Sequence, residues 1–142
     1  MSEIVCADTN VFARALTLDD PVQTQAAHEL LKRIQSGDMT IWINDVILAE
    51  LLWVLKAKRY GLSRYDISER IESLVNTENI IVKPANLGHN LAETLRLYVN
   101  QNIDYTDAYI GCWMKENGIK TIYTFNTKHF SRIPGITVKM PH

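Results

Sequence analysis

The chain has 142 residues, 46% of them hydrophobic and 22% charged, which suits one globular domain over residues 1–142 with a substantial core and excludes a disordered protein. A formal net charge of -1 gives no whole-molecule attraction to a polyanion, so any nucleic acid must be held by a local basic stripe or through metal ions. The first residues lack the basic start and apolar stretch of a secretion signal, and no apolar run reaches the roughly 18 residues of a membrane span; a cytoplasmic protein without membrane contact is expected.

Ile4 to Ala7 is short and apolar and breaks at Asp8-Thr9-Asn10, residue types that cap helices, so it reads as a buried strand running straight into a helix. Asp19-Asp20-Pro21 starts a second helix, with Pro where the first-turn amide needs no partner; Ala26, Ala27, Leu30, Leu31 and Ile34 continue its apolar face, and Gly37 ends it. Thr40 to Ile43 is a second strand, and Asn44 and Asp45 cap a helix from about Val46 to Lys58, closed by Tyr60-Gly61. Ser63 with Asp66 resembles a capping box, followed by Ile67, Ile71, Leu74 and Val75 at helical spacing.

Ile80 to Lys83 is strand-like and ends at Pro84; Leu87, Leu91, Leu95 and Tyr98 mark the next amphipathic helix. Thr106 or Asp104 can cap another, which carries Ile110 and Met114 on one face and ends at Asn117-Gly118. Lys120 to Thr124 is a fourth strand. A short polar segment follows Phe125-Asn126-Thr127, then a turn at Pro134-Gly135 and an edge strand from Ile136 to Lys139. This alternation predicts an α/β protein with one mostly parallel sheet of about five strands between helical layers. Cys6 and Cys112 read as buried core thiols in a reducing compartment, and Trp42, Trp53 and Trp113 as core or subunit-interface residues.

Three acidic residues far apart in the chain draw notice: Asp8 after the first strand, Glu50 among Val46, Ile47, Trp53 and Val54, and Asp107 at the start of a helix. Each has a bland explanation, respectively a helix cap, a structural salt bridge and macrodipole complementation. Thr9 and Asn10 can supply the cap, however, which frees Asp8, and Glu50 projects from an apolar surface that demands a cation or a hydrogen-bond network. In an α/β fold such elements converge at the carboxyl edge of the sheet. Carboxylates about 5 Å apart repel by roughly 3 kcal/mol per pair at an effective dielectric near 20, and a divalent ion reverses this. Oxygen ligation suits Mg²⁺ or Mn²⁺ and phosphodiester hydrolysis. Asp104 is a candidate auxiliary ligand. His28, His89, His129 and His142 show no paired metal-ligand spacing, and none is assigned to catalysis.

In order, Asp8-Thr9-Asn10-Val11, Ala49-Glu50-Leu51, Asp107-Ala108 and Thr124-Phe125-Asn126 resemble the motifs of PIN-domain ribonucleases, most of all VapC-type toxins of toxin–antitoxin pairs. The resemblance runs from about Ile4 to Val138. It implies a PIN-like three-layer α/β/α sandwich and a metal-dependent endoribonuclease that leaves a 5′-phosphate and a 3′-hydroxyl. Asp8, Glu50 and Asp107 match its acidic metal positions, while Thr9, Asn10 and Thr124 would orient the acids and waters. The fourth position departs, because Asn126 stands where the family usually has aspartate in a Thr-x-Asp arrangement; Asn126 or Asp104 would then complete the metal set. Candidate RNA contacts are Arg14, Lys128, His129 and Arg132. An antitoxin partner and a homodimer are implied by the resemblance alone. The competing reading is a weakened PIN domain that binds RNA or protein without cutting.

Overall fold

The computed structural model describes residues 2–85 and 87–142. The side chains of residues 87–90 lie outside the described residues, and with them the readings made for Leu87 and His89. Five strands, β1 (Glu3–Ala7), β2 (Met39–Ile43), β3 (Ile80–Val82), β4 (Thr121–Tyr123) and β5 (Thr137–Lys139), form one sheet in the order β3-β2-β1-β4-β5. Every pairing is parallel. The expected α/β/α sandwich is therefore present, and β5 is the edge strand that the Pro134-Gly135 turn announces.

Seven α-helices cross between the strands among the described residues: α1 (Thr9–Leu16), α2 (Pro21–Gln35), α3 (Asp45–Leu55), α4 (Arg64–Val75), α5 (Leu87–Asn100), α6 (Tyr105–Glu116) and α7 (Thr127–Phe130). Their ends follow local chemistry. Asp20 caps α2 through Gln23 N, with Pro21 at the first position. Asn44 caps α3 through Ile47 N at 2.9 Å. Ser63 and Asp66 form both bonds of the capping box at 3.0 Å each.

Strand ends shift by one residue, and two helical segments differ more from expectation. The third helix stops at Leu55 instead of Lys58, and Lys58–Tyr60 forms a separate 3₁₀ turn closed by Gly61 at φ 60°. A left-handed residue satisfies such an end, and glycine adopts it without strain. The polar segment after Thr127 is a one-turn helix, too short to show periodicity, anchored by the fully buried Phe130.

The core lies on both faces of the central strand, where Val5, Cys6 and Ala7 are all fully buried. That is why β1 reads as a continuous apolar run without alternation. Cys6 and Cys112 are buried free thiols, as expected. Trp113 is 1% exposed and belongs to the core, but Trp53 is 76% exposed, so the core alternative is wrong for Trp53.

Gly111 sets how closely α6 approaches the segment after α7. A Cβ there would sit 2.7 Å from Ile133 Cδ1 and 3.5 Å from Ile136 Cδ1. Gly111→Val is expected to destabilise the protein by about 1–3 kcal/mol through overpacking; a denaturant titration with an unchanged midpoint would show the contact to be soft.

Candidate metal centre

The chain builds β1, β2 and β3 outward to one side, then crosses to build β4 and β5 on the other. Strand order thus reverses between β1 and β4, and a crevice opens beyond the carboxyl ends of these two strands, the usual ligand position in open α/β sheets. Asp8 leaves β1 there and Thr124 leaves β4, joined by Asp8 N donating to Tyr123 O at 2.9 Å. A cavity of about 250 Å³ lies at this rim. Asp8, Glu50, Asp104 and Asp107 all line it, so residues up to 99 positions apart in sequence meet in one place.

Asp8 is itself the cap of α1, with Oδ1 accepting from Thr9 N at 2.8 Å. The expectation that Thr9 and Asn10 would do this instead is corrected, since both side chains are engaged elsewhere. Thr9 Oγ1 donates to Glu50 Oε1 at 2.8 Å. Asn10 Oδ1 accepts from Phe125 N, and its Nδ2 donates to Thr124 Oγ1, both at 3.2 Å. Thr124 Oγ1 also accepts from Asn126 N and passes its own proton to Asp8 Oδ2 at 3.1 Å. Every member of this buried chain is satisfied, which holds the Asp8 carboxylate in one orientation.

With 8% of its surface exposed, Asp8 is pushed up from 3.8 to about 7, first by burial and then by the Asp107 carboxylate, against the pull of the Thr9 amide. Asp107 is also raised, mainly by burial, although its hydrogen bond to His129 pulls it down. Glu50 is only half-buried. Its apolar neighbours mislead, because Leu52 and Trp53 point to solvent. The network it was expected to need is present: Thr9 holds one oxygen, and Thr106 Oγ1 donates to the other at 3.2 Å.

His129 reaches the same cavity from α7, with Nδ1 2.7 Å from Asp107 Oδ2 and 3.8 Å from Asp104 Oδ2. Asp104 occupies the cap position of α6 but makes no side-chain cap bond, so its carboxylate is free to face the mouth. Asn126 lines the cavity, yet its Oδ1 accepts from Lys128 N at 3.3 Å and caps α7.

Among the basic candidates, Arg14 lines the cavity, held by Asp19 at 3.0 Å and Gln23 at 2.7 Å. Lys128 is exposed outside the lining. Arg132 donates to the carbonyls of Gln101 and Asn102 at 3.4 and 2.7 Å, bracing the loop before α6. Arg59 and Tyr60, which local sequence reads only as a helix exit, form part of the wall. Arg59 shares Asp19 with Arg14, and Tyr60 Oη donates to the same carboxylate at 3.2 Å. Two guanidiniums share one carboxylate, so the cavity that holds the acids also carries positive charge.

The donor set fits a divalent cation. Burial and the Asp107 carboxylate raise Asp8 despite the hydrogen bonds from Thr9 and Thr124, and a cation among these acids would relieve both. Their oxygens suit a hard ion such as Mg²⁺ or Mn²⁺.

A family model described as PIN domain matches residues 5–136. No curated protein sequence matches the chain. Among solved structures it is similar to a chain of VapBC2 from Rickettsia felis, bound to a DNA fragment of its promoter, with 21% identity, coverage of 96% and 98% of the two chains and a TM-score of 0.67. DNA-bound VapBC from Salmonella typhimurium shares 16% identity over 100% of both chains with a TM-score of 0.71. VapC20 from Mycobacterium tuberculosis, a toxin that cleaves the sarcin–ricin loop, shares 16% identity over 89% and 93% with a TM-score of 0.70.

Proposed function

The chain belongs to the PIN domain family, and from that premise we propose that it is a divalent-metal-dependent endoribonuclease acting as the toxin of a toxin–antitoxin pair. The observation that carries this reading is the meeting of Asp8, Glu50 and Asp107 around one cavity at the crevice between β1 and β4. Asp8 and Asp107 would hold the ion, with Asp104 at the mouth. A bound Mg²⁺ or Mn²⁺ would polarise a phosphoryl oxygen and lower the pKa of an attacking water. Glu50, steadied by two hydroxyl donors, is placed to orient that water and take its proton. Thr124 and Asn10 fix the Asp8 rotamer. Arg14 and Arg59 line the same cavity as the acids and suit a neighbouring RNA phosphate. No side-chain nucleophile is required.

Likeness to the VapBC structures supports a cognate antitoxin partner; that it covers the cavity, that the protein is a homodimer and that it works in the cytoplasm are further parts of the proposal that rest on the family resemblance. Asn126 favours a second reading, a weakened domain that binds RNA or protein without cutting, because an amide contributes no charge where the family usually has one.

Incubating the purified protein with structured RNAs separates the two. Cleavage in Mg²⁺ or Mn²⁺, abolished by EDTA and leaving 5′-phosphate and 3′-hydroxyl ends, is the expected result. Cyclic phosphate ends or indifference to EDTA would overturn the metal mechanism, and binding without cleavage would select the second reading.

A further inference from the structure

We propose that His129 is a nitrogen ligand of the divalent ion and makes this centre select Mn²⁺ over Mg²⁺. The inference rests on the metal-ion reading above and adds a residue whose side-chain chemistry differs from the acids around it.

Its first support is geometric. One donor atom each from Asp104, Asp107 and His129 lies within 4.8 Å of the others, with Nδ1 of His129 2.7 Å from Asp107 and 3.8 Å from Asp104. An ion with bonds of about 2.1 Å places adjacent donors roughly 3 Å apart and opposite donors about 4.2 Å apart. Both His129 distances come close to that range, so small side-chain adjustments bring the imidazole to an ion held by Asp107, with Asp104 at the mouth.

The second support is the position left by Asn126. Its carbonyl oxygen is committed to capping α7 and its carboxamide has no charge. One turn further on, the same short helix turns His129 inward, next to the fully buried Phe130 that anchors it. The donor contributed by the segment after β4 thus moves from the cap residue to the imidazole. In the described geometry Nδ1 and the Asp107 carboxyl are hydrogen-bonded at 2.7 Å. As a ligand Nδ1 would carry no proton, and Nε2 would hold the ring's single proton.

Selectivity follows from donor type. Magnesium holds to oxygen and sheds water reluctantly, whereas imidazole nitrogen binds first-row transition ions well. A floor of carboxylates with one imidazole therefore gives up part of its advantage toward Mg²⁺ and gains toward Mn²⁺.

The test is pulsed electron paramagnetic resonance on the full chain with one equivalent of Mn²⁺, alongside calorimetric Mn²⁺ and Mg²⁺ affinities for wild type, His129→Gln, His129→Glu and Asp8→Asn. Wild type is expected to show strong nitrogen coupling to Mn²⁺, absent in His129→Gln. That variant should lose at least the ten- to hundredfold in Mn²⁺ affinity that removal of an outer partner costs, with Mg²⁺ affinity nearly unchanged. His129→Glu should raise affinity for Mg²⁺ relative to Mn²⁺. Asp8→Asn should weaken both ions while retaining the nitrogen coupling. Wild-type Mn²⁺ binding without strong nitrogen coupling would overturn the inference and leave His129 as a hydrogen-bond donor to Asp107, and so would coupling that survives in His129→Gln. Failure of wild type to bind either ion would sink the metal reading itself, a separate outcome from the loss of the histidine.

Discussion

Replacing Asp8 with asparagine is expected to slow RNA cleavage by at least about 10²- to 10³-fold, the scale on which active sites lose rate when one charge-stabilising group is removed. The substitution is isosteric and keeps the cap. Asn Oδ1 still accepts from Thr9 N, and the Thr124 proton can turn to the Asn126 carbonyl 3.2 Å away, although both Thr124 lone pairs are already taken by Asn10 Nδ2 and Asn126 N. What disappears is the charge. Asp107→Asn should fall by a similar factor. Asp104→Asn should fall less, because its side chain is 78% exposed and a neighbouring water can replace it. Single-turnover cleavage at saturating Mn²⁺, with circular dichroism to confirm the fold, measures all three. An Asp8→Asn rate within threefold of wild type would reduce Asp8 to the helix cap that it also is.

Two properties of Asp8 therefore coexist, and the sequence shows only one. Asp-Thr-Asn after an apolar run announces a helix start, and the capping bond to Thr9 N is there. The other oxygen's partner, Thr124, is 116 residues away. Its role depends on β1 and β4 being neighbours, a fact of strand order that no local pattern carries. The central strands β1 and β4 were legible because parallel strands buried on both faces must be apolar, and the helices because their caps are local chemistry. Ser63 and Asp66 needed nothing beyond themselves.

Glu50 shows where such reading misleads. An apolar helix window suggests that every neighbour is core, but Leu52 and Trp53 on that helix face solvent. Composition cannot distinguish an apolar residue that meets the sheet from one left open. His129, named from sequence only as a candidate RNA contact, and Arg59, not singled out at all, are missed at the acids for the same reason: a one-turn helix packed on α6 delivers the first to Asp107, and a 3₁₀ turn folded back toward α1 delivers the second to Asp19. Both contacts are made by tertiary packing, and neither residue carries an unusual local signal.

The crowding that makes the cavity suit a cation also makes the fold sensitive to pH in a direction opposite to ordinary acid denaturation. Asp8 sits at about 7 in the folded chain against 3.8 for a free carboxyl. Between these values the folded state keeps a proton that the unfolded state releases, so stability is greatest on the acid side and declines as pH rises through 7. Asp107 shifts in the same direction and adds to the slope. For Asp8 alone, the loss from pH 4 to pH 8 amounts to about 4 kcal/mol, because each pH step of one between the unfolded and folded values costs about 1.4 kcal/mol. Urea unfolding in EDTA should therefore give a higher midpoint at pH 5 than at pH 8. Asp8→Asn should flatten that difference and stabilise the protein at pH 8, a gain in stability coupled to a loss of activity. Saturating Mn²⁺ should restore stability more at pH 8 than at pH 5, because the ion competes with the proton for the same carboxylates. A wild-type midpoint that is flat or rises across this range in EDTA, or an equal response in Asp8→Asn, would mean that burial and like charge do not raise these carboxylates and that the cavity has no need of a cation.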